Sequence, residues 1–388
     1  MKPQRWNEPQ DPSKRERGDD PRLDFHLPPQ LEADRPPELR GIPRDRVRLL
    51  VSHGAKPEIV HSRFDALPEF LEPGDLLVVN ASRTIPAALP VRGERGERFR
   101  LHLSTPLPGG RWLVEVRVPE GHGTVPFLEA HAGDTFSLPA GGRVMLETSR
   151  RRDAGEKKRL WVASLSLPIP LLPYLDRYGL PVRYRYAAGA WPISAYRTLF
   201  GKVPGSVEMP SAGRAFTPRL VTLLRSRNIG IAPIVLHTGL SSLEADESPH
   251  AEFFQVPART AKRIVTVRRR GHRIIAVGTT VVRALESVTG KDRIPHAGEG
   301  WTDLVVTPRR GLHAVDGLIT GFHEPRASHL AILTALCGLD HLEASYRQAL
   351  RHGYRWHEFG DLHLILPSSR NDHTTRRSGG HREQAAAP

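Results

Sequence analysis

The stretch Arg273-Ile-Ile-Ala-Val-Gly-Thr-Thr-Val-Val-Arg-Ala-Leu-Glu-Ser287 reads as strand, tight turn and helix. Ile274 to Val277 is too short an apolar run for a helix and β-branched enough for a buried strand. Gly278 lets the backbone turn, and Thr279 or Thr280 can cap the helix that follows. Val281, Leu285 and Val288 recur at helical spacing. That helix therefore packs back on a sheet and leaves its first-turn N–H groups facing the loop, where they favour an anion or polar ligand. Arg283 lies one turn in. The same residues also fit a plain βα junction, and the missing lysine excludes a Walker loop.

At 388 residues the chain is long enough for two or three domains with their own cores. No signal-peptide pattern opens it, and no apolar run approaches the eighteen or so residues of a membrane span. A soluble cytoplasmic protein is expected. The single cysteine, Cys337, excludes an internal disulfide and any cysteine-based zinc or iron–sulfur site. Residues 1–40 hold eight basic against nine acidic residues and residues 367–388 hold four against two, so +13 of the net +14 lies on residues 41–366. That excess fits a polyanionic partner, or simple solubility in an arginine-rich composition.

Residues 1–21 and 367–388 lack apolar periodicity and are expected to be disordered tails. From residue 87 to 167 short β-forming runs are split by Gly/Pro turns, the texture of a small antiparallel barrel; its charged segment Arg150–Arg159 reads as a solvated hairpin loop. On either side, in 22–86 and 168–366, strands and helices alternate: strands at Arg44–Val51, Leu76–Asn80, Ile229–His237, Asp303–Thr307 and Asp361–Leu366, helices at Arg219–Arg227, Ala258–Arg270, Ala327–Leu336 and Leu342–Leu350. This predicts one α/β domain with a mainly parallel sheet or barrel, interrupted by an all-β insertion, with its working residues on loops after the strands.

Polar residues collect at such loops: His237-Thr-Gly-Leu-Ser-Ser242, Gly278-Thr-Thr280, Asp316 to Arg326, and Pro204 to Thr217. Each alone fits an ordinary turn or a hydrogen-bonded core residue; if they share one sheet end they converge into a pocket. A metal site is argued against, because no His-Glu-x-x-His occurs and His323 and His329, six apart, would lie on different faces of any helix.

Taken together the loops resemble the S-adenosylmethionine:tRNA ribosyltransferase-isomerase family of queuosine biosynthesis. The resemblance runs from Leu23 to Leu366 and rests on Pro73-Gly-Asp-Leu-Leu-Val-Val-Asn-Ala-Ser-Arg-Thr-Ile-Pro-Ala87, Tyr196-Arg-Thr198, Gly205-Ser-Val-Glu-Met-Pro-Ser-Ala-Gly213, Leu236-His-Thr-Gly239, Ile275 to Glu286, Val315 to Arg326 and Phe359-Gly-Asp361. It implies a larger barrel-like α/β domain interrupted by a small antiparallel β-barrel. The implied reaction moves the ribosyl group of S-adenosylmethionine to 7-aminomethyl-7-deazaguanine in tRNA. It forms epoxyqueuosine with loss of adenine and methionine, and needs a general base and a cation-tolerant pocket without a metal.

On the matched positions the catalytic candidates are His237, His323 and Asp316, with one of the histidines moving protons. The candidates for binding S-adenosylmethionine are Gly278, Thr279, Thr280, Arg283, Ser211, Gly213, Glu252, Arg197 and Asp361, with Arg283 and the two threonines placed for the methionine carboxylate or a phosphate. Arg83 and Arg326 are the candidates for tRNA, and a monomer is expected. The chain departs from the family pattern at Ala212-Gly-Arg-Ala-Phe-Thr217, at His237-Thr-Gly-Leu-Ser-Ser-Leu243 and at Gly321-Phe-His-Glu-Pro-Arg-Ala-Ser328. These changes fall in the expected pocket, so two further readings stand beside the first: a paralogue acting on a small-molecule acceptor, and a non-catalytic RNA-binding protein.

Overall fold

The computed structural model describes residues 23–366 apart from 55–57, 122, 150–158, 185, 188 and 241–249. The two expected tails, and all but the last residue of the expected charged hairpin loop, lie outside the described residues. The strands in chain order are β1 (Arg48–His53), β2 (Glu58–Arg63), β3 (Leu76–Asn80) and β4 (Ser82–Thr84), then β5 (Ala88–Arg92), β6 (Arg98–Pro106), β7 (Arg111–Glu120), β8 (Gly123–Pro126), β9 (Thr135–Ser137), β10 (Arg143–Ser149) and β11 (Leu160–Ser166). After helix α1 (Leu171–Tyr178) come β12 (Val203–Ser206), α2 (Pro218–Ser226), β13 (Gly230–Leu236), β14 (Glu252–Val256), α3 (Ala258–Arg269), β15 (Ile274–Val277), α4 (Thr279–Ser287), β16 (Gly298–Thr302), β17 (Gly317–Gly321), α5 (Ser328–Cys337), α6 (Leu339–Arg351) and β18 (Leu362–Leu366).

Nine strands form one sheet in the order β16-β14-β13-β3-β15-β17-β18-β1-β2. Its centre, β13-β3-β15-β17, is a parallel block and β18–β1 a second parallel pair, whereas β14, β16 and β2 pair antiparallel and β17 meets β18 antiparallel, so the sheet is mixed rather than mainly parallel. Among the described residues no pairing joins β16 to β2, and the expected large barrel is an open sheet. The central strands are apolar on both faces. Leu76 and Val78 of β3 and Ile274 and Ala276 of β15 pack with α3 to α6, while Leu77, Val79, Ile275 and Val277 pack with Phe216 and the α2 residues Leu220 and Leu224. Strand period two thus feeds two cores, and each fully buried Leu, Ile or Val contributes about 1.5–3 kcal/mol.

Strands β5, β6, β7, β9, β10 and β11 close into a six-stranded antiparallel barrel through the β11–β7 pairing, with β8 added at the edge. Its interior holds Leu101, Leu103, Val114, Val116, Val144 and Trp161.

Two local expectations change. The residue at the cap of α4 is Gly278, with φ 99°, and both threonines sit inside the first turn; no side chain caps it. The strand expected at Asp303–Thr307 lies five residues earlier, at β16. The reason is that Thr302, its last paired residue, and Leu304 turn their carbonyls to the Arg283 side chain, which ends the ladder.

Candidate active site

The parallel block aligns four strand ends on one side of the sheet: Asn80 at the end of β3, His237 after β13, Gly278 after β15, and Gly321 at the end of β17 with His323 just beyond. Asn80 is 4% exposed and ties the first two together, donating from Nδ2 to Leu236 O (2.8 Å) and accepting at Oδ1 from Leu236 N (3.1 Å) and Ser82 N (2.9 Å). Its Nδ2 also reaches Thr280 Oγ1 at 3.4 Å. Ser82 Oγ lies 2.7 Å from His237 Nδ1 and 2.5 Å from Ser206 Oγ, which in turn accepts from Thr238 N at 3.1 Å. The imidazole is thereby fixed through Nδ1, and Nε2 has no protein partner among the described residues. Burial lowers its pKa, so the ring is neutral near pH 7 and able to accept a proton. Phe253 stacks on it at 5.6 Å, and Gly205 is required beneath it, since a Cβ there would sit 2.5 Å from the ring.

His323 occupies the other end of the block. Its ring lies 2.9 Å from Thr320 Oγ1 through Nε2 and stacks on His329 at 4.6 Å. Only His329 belongs to a helix, so the face argument used against this pair does not apply. Burial and the neighbouring histidines push the pKa of His323 well below 6.5. Three inter-strand steps of about 4.8 Å separate β13 from β17, so the strand ends that carry the two histidines stand on the order of 14 Å apart. Among the described residues no group of three His, Cys, Asp or Glu is arranged to hold a metal ion.

Between these ends the Ser211–Gly213 turn closes over the sheet: Ala212 Cβ would be 3.6 Å from a Cβ at Gly278, and Thr198 packs 3.5 Å from where a Cβ on Gly213 would be. Beside it opens a small cleft lined by Ser211, Arg214, Gly321, His357, Glu358 and Phe359. His357 holds φ 70°, a conformation costing a non-glycine residue about 1–3 kcal/mol and common at functional sites. Its ring stacks on Tyr186 at 3.8 Å, and carboxylates of Glu32 and Glu324 stand 3.5 Å away. Tyr186 donates to Glu358. Among the described residues Tyr196, 3% exposed, has no hydrogen-bond partner for its hydroxyl, and Arg197 Nε, Thr198 Oγ1 and Arg83 Nε likewise have none. Orphaned buried donors of this kind are what a ligand satisfies.

The structure does not bring every expected residue here. Asp316 lies at the N-terminal end of β17, the opposite edge of the sheet, where its carboxylate accepts from Ile274 N at 2.9 Å. Asp361 is at the right edge, but both its oxygens are taken by backbone amides, Arg48 N and Arg355 N, each at 2.8 Å. Arg283 is 7% exposed and donates from all three nitrogens, to Glu252, Leu304 O and Thr302 O, while Glu252 also accepts from Gly239 N. This pair clamps α4 to β14 and β16 and offers no open fork for a carboxylate. Arg326 is exposed on the turn after His323, at φ 62°. Ser241 and Ser242 lie outside the described residues. Sequence reasoning missed Asn80, Ser82, Ser206 and His357. The first three stood inside quoted matching stretches, and the histidine stood next to one, but nothing local marked them as partners.

A mixed α/β sheet with a polar cleft at the carboxyl ends of its parallel strands, and a barrel inserted between β4 and β12, is the architecture of a ligand-binding α/β protein. The chain belongs to the queuosine biosynthesis protein family, whose model matches residues 21–365. It is 38% identical over 360 residues to the S-adenosylmethionine:tRNA ribosyltransferase-isomerase of Moorella thermoacetica, covering 89% of this chain and 98% of that one. The protein of the same name from Thermotoga maritima is 36% identical over 353 residues, at the same coverage. A crystal structure of the S-adenosylmethionine tRNA ribosyltransferase from Thermotoga maritima aligns over 89% of this chain and 99% of its own, with 31% identity and a TM-score of 0.49.

Proposed function

We propose that the chain is a ribosyltransferase-isomerase that moves the ribosyl group of S-adenosylmethionine onto the aminomethyl group of a deazaguanine in tRNA, releasing adenine and methionine. Its strongest support is the family match along nearly the whole chain, joined to a histidine held at one nitrogen and open at the other. In this reading His237 Nε2 takes the proton from the ribose 5′ carbon beside the sulfonium, and Ser82 keeps the ring in the orientation and tautomer that leave Nε2 able to accept it. His323 serves the departing adenine or the amine at the other end. The carboxyl groups of Glu32 and Glu324 beside His357 suit the cationic amine and sulfonium: burial raises the pKa of both, a bound cation favours their charged form, and the imidazole, held near pKa 4, adds no opposing positive charge. Arg83, Arg197 and Tyr196 carry orphaned donors for the polar parts of the substrates.

The test is incubation of the full chain with S-adenosylmethionine and tRNA carrying the aminomethyl base, scoring adenine and methionine by mass. Release that requires the tRNA is the expected result. Release with a free small amine instead would assign a small-molecule acceptor, and tight tRNA binding with no release would leave only an RNA-binding protein.

A further inference from the structure

The face of β6 turned away from the barrel core is polar yet buried. Leu101 and Leu103 point inward, whereas His102 and Ser104 on the alternate face are 2% and 3% exposed. They are covered by the segment that leaves the barrel for the α/β domain, whose Leu180 exchanges backbone hydrogen bonds with Ala88. Between that segment and the strand lies a small recess, open to solvent and lined by Arg100, His102, Thr124 and Arg183 together with Ala88 and Leu180.

Among the described residues no acidic side chain lines it, and Arg100 and Arg183 have no carboxylate partner. Burial and the charge of Arg183 lower the pKa of Arg100. Neighbouring Arg117 is different, since Glu115 and Thr124 already occupy its donors. Among the described residues His102 Nδ1 is buried with no hydrogen-bond partner. Burial first, then the charges of Arg117, Arg100 and Arg183, push its pKa down to about 3, so the ring is neutral, and Nδ1 is a donor in the tautomer that carries the proton there. Two guanidiniums and an orphaned ring nitrogen around one small recess have no anionic partner among the described residues, and an anion with several acceptor oxygens supplies one.

We propose that this recess is a phosphate-binding subsite, with Arg100, Arg183 and His102 Nδ1 as donors, and that it takes a backbone phosphate of the bound tRNA. The choice of RNA rests on the function proposed above and on position. Ser104, two residues or about 7 Å along the same strand face, accepts from Leu240 N in the loop that follows His237, so the recess adjoins the active edge.

The experiment measures binding of a tRNA transcript to the full chain across a salt series, and titrates inorganic phosphate while following the His102 imidazole by NMR. R100Q and R183Q are compared with R98Q, which removes the same charge from an exposed position on the same strand, outside the recess. Thermal unfolding checks that all three fold. Each recess variant should weaken tRNA binding several-fold and reduce the slope of log K against log salt by about 0.7–0.9, with R98Q close to wild type. Equal slopes in all three variants overturn the RNA assignment; phosphate shifts on His102 would then assign the recess to a free anion. If wild-type protein binds no tRNA, the function proposed above fails separately, and the phosphate titration alone decides: no shift of the His102 resonances overturns the subsite.

Discussion

Burial and neighbouring charge separate the two histidines in role. His237 is held by Ser82 through Nδ1 and is only partly desolvated, whereas His323, held by Thr320 through Nε2, is strongly desolvated beside other histidines and driven far from the working range of a base. His237→Ala should lower kcat by about 10²–10⁴-fold while S-adenosylmethionine binding, read by calorimetry, persists. Ser82→Ala should reduce kcat by roughly tenfold with little change in KM and should move the acid limb of the pH–rate profile, a readout that loss of mere packing would not shift. Asp316→Asn, at the far edge of the sheet, should leave kcat near wild type. His237 and His323 could be named from their loops alone. Ser82 could not be matched to His237, because the two are 155 positions apart in the chain and the pairing of β3 with β13 brings them together.

Among the elements, α4 carries the clearest difference between what its sequence offers and how it is used. Its strand–turn–helix form is legible in Ile274 to Ser287, since a β-branched run, a glycine and a helical repeat leave little choice. The use of Arg283 was not legible, because its partners sit on β14 and β16 and on a loop carbonyl, all chosen by tertiary packing. Arg283→Met should therefore destabilise the protein by about 3–5 kcal/mol in urea unfolding, by stranding the Glu252 carboxylate, and the added change Glu252→Gln should recover much of that loss. Unchanged stability with weakened S-adenosylmethionine binding would return Arg283 to the ligand. Asp75 does the equivalent at the other edge. It is 1% exposed, pairs with Arg273 at 2.6 Å and accepts from Glu72 N, so that β3 and β15 start in register. The mixed order of the sheet was not legible either. Alternating strands and helices predict parallel pairing, but β14, β16 and β18 are joined by loops whose reach and direction leave no periodic mark.

Over the whole molecule, four histidines are held neutral by burial: His102 and His363 titrate at about 3, His329 and His357 at about 4. In the unfolded chain each takes up a proton near pH 6.5, while in the folded protein it does not until pH 3–4. Their folded pKa values are depressed, so the unfolded state binds more protons in this window and stability falls as pH drops from about 6.5 toward 4, by up to about 1.4 kcal/mol per pH unit for each. Calorimetry should show Tm declining progressively between pH 7 and pH 5 at constant ionic strength; a flat Tm over that range would mean these rings carry protons in the folded state.

The place of β3 in the sheet also sets an order of events during synthesis. Its Asn80 bonds to Leu236, 156 residues later, and Asp75 to Arg273, 198 residues later, while the barrel between them is closed by strands contiguous in the chain. At roughly 5–20 residues per second the ribosome delivers β13 about 8–30 s after β3, ample time for the barrel to close on itself. Throughout that interval Leu76 to Val79 is an apolar strand with both edges open, a template for aggregation until β13 and β15 arrive to pair with it.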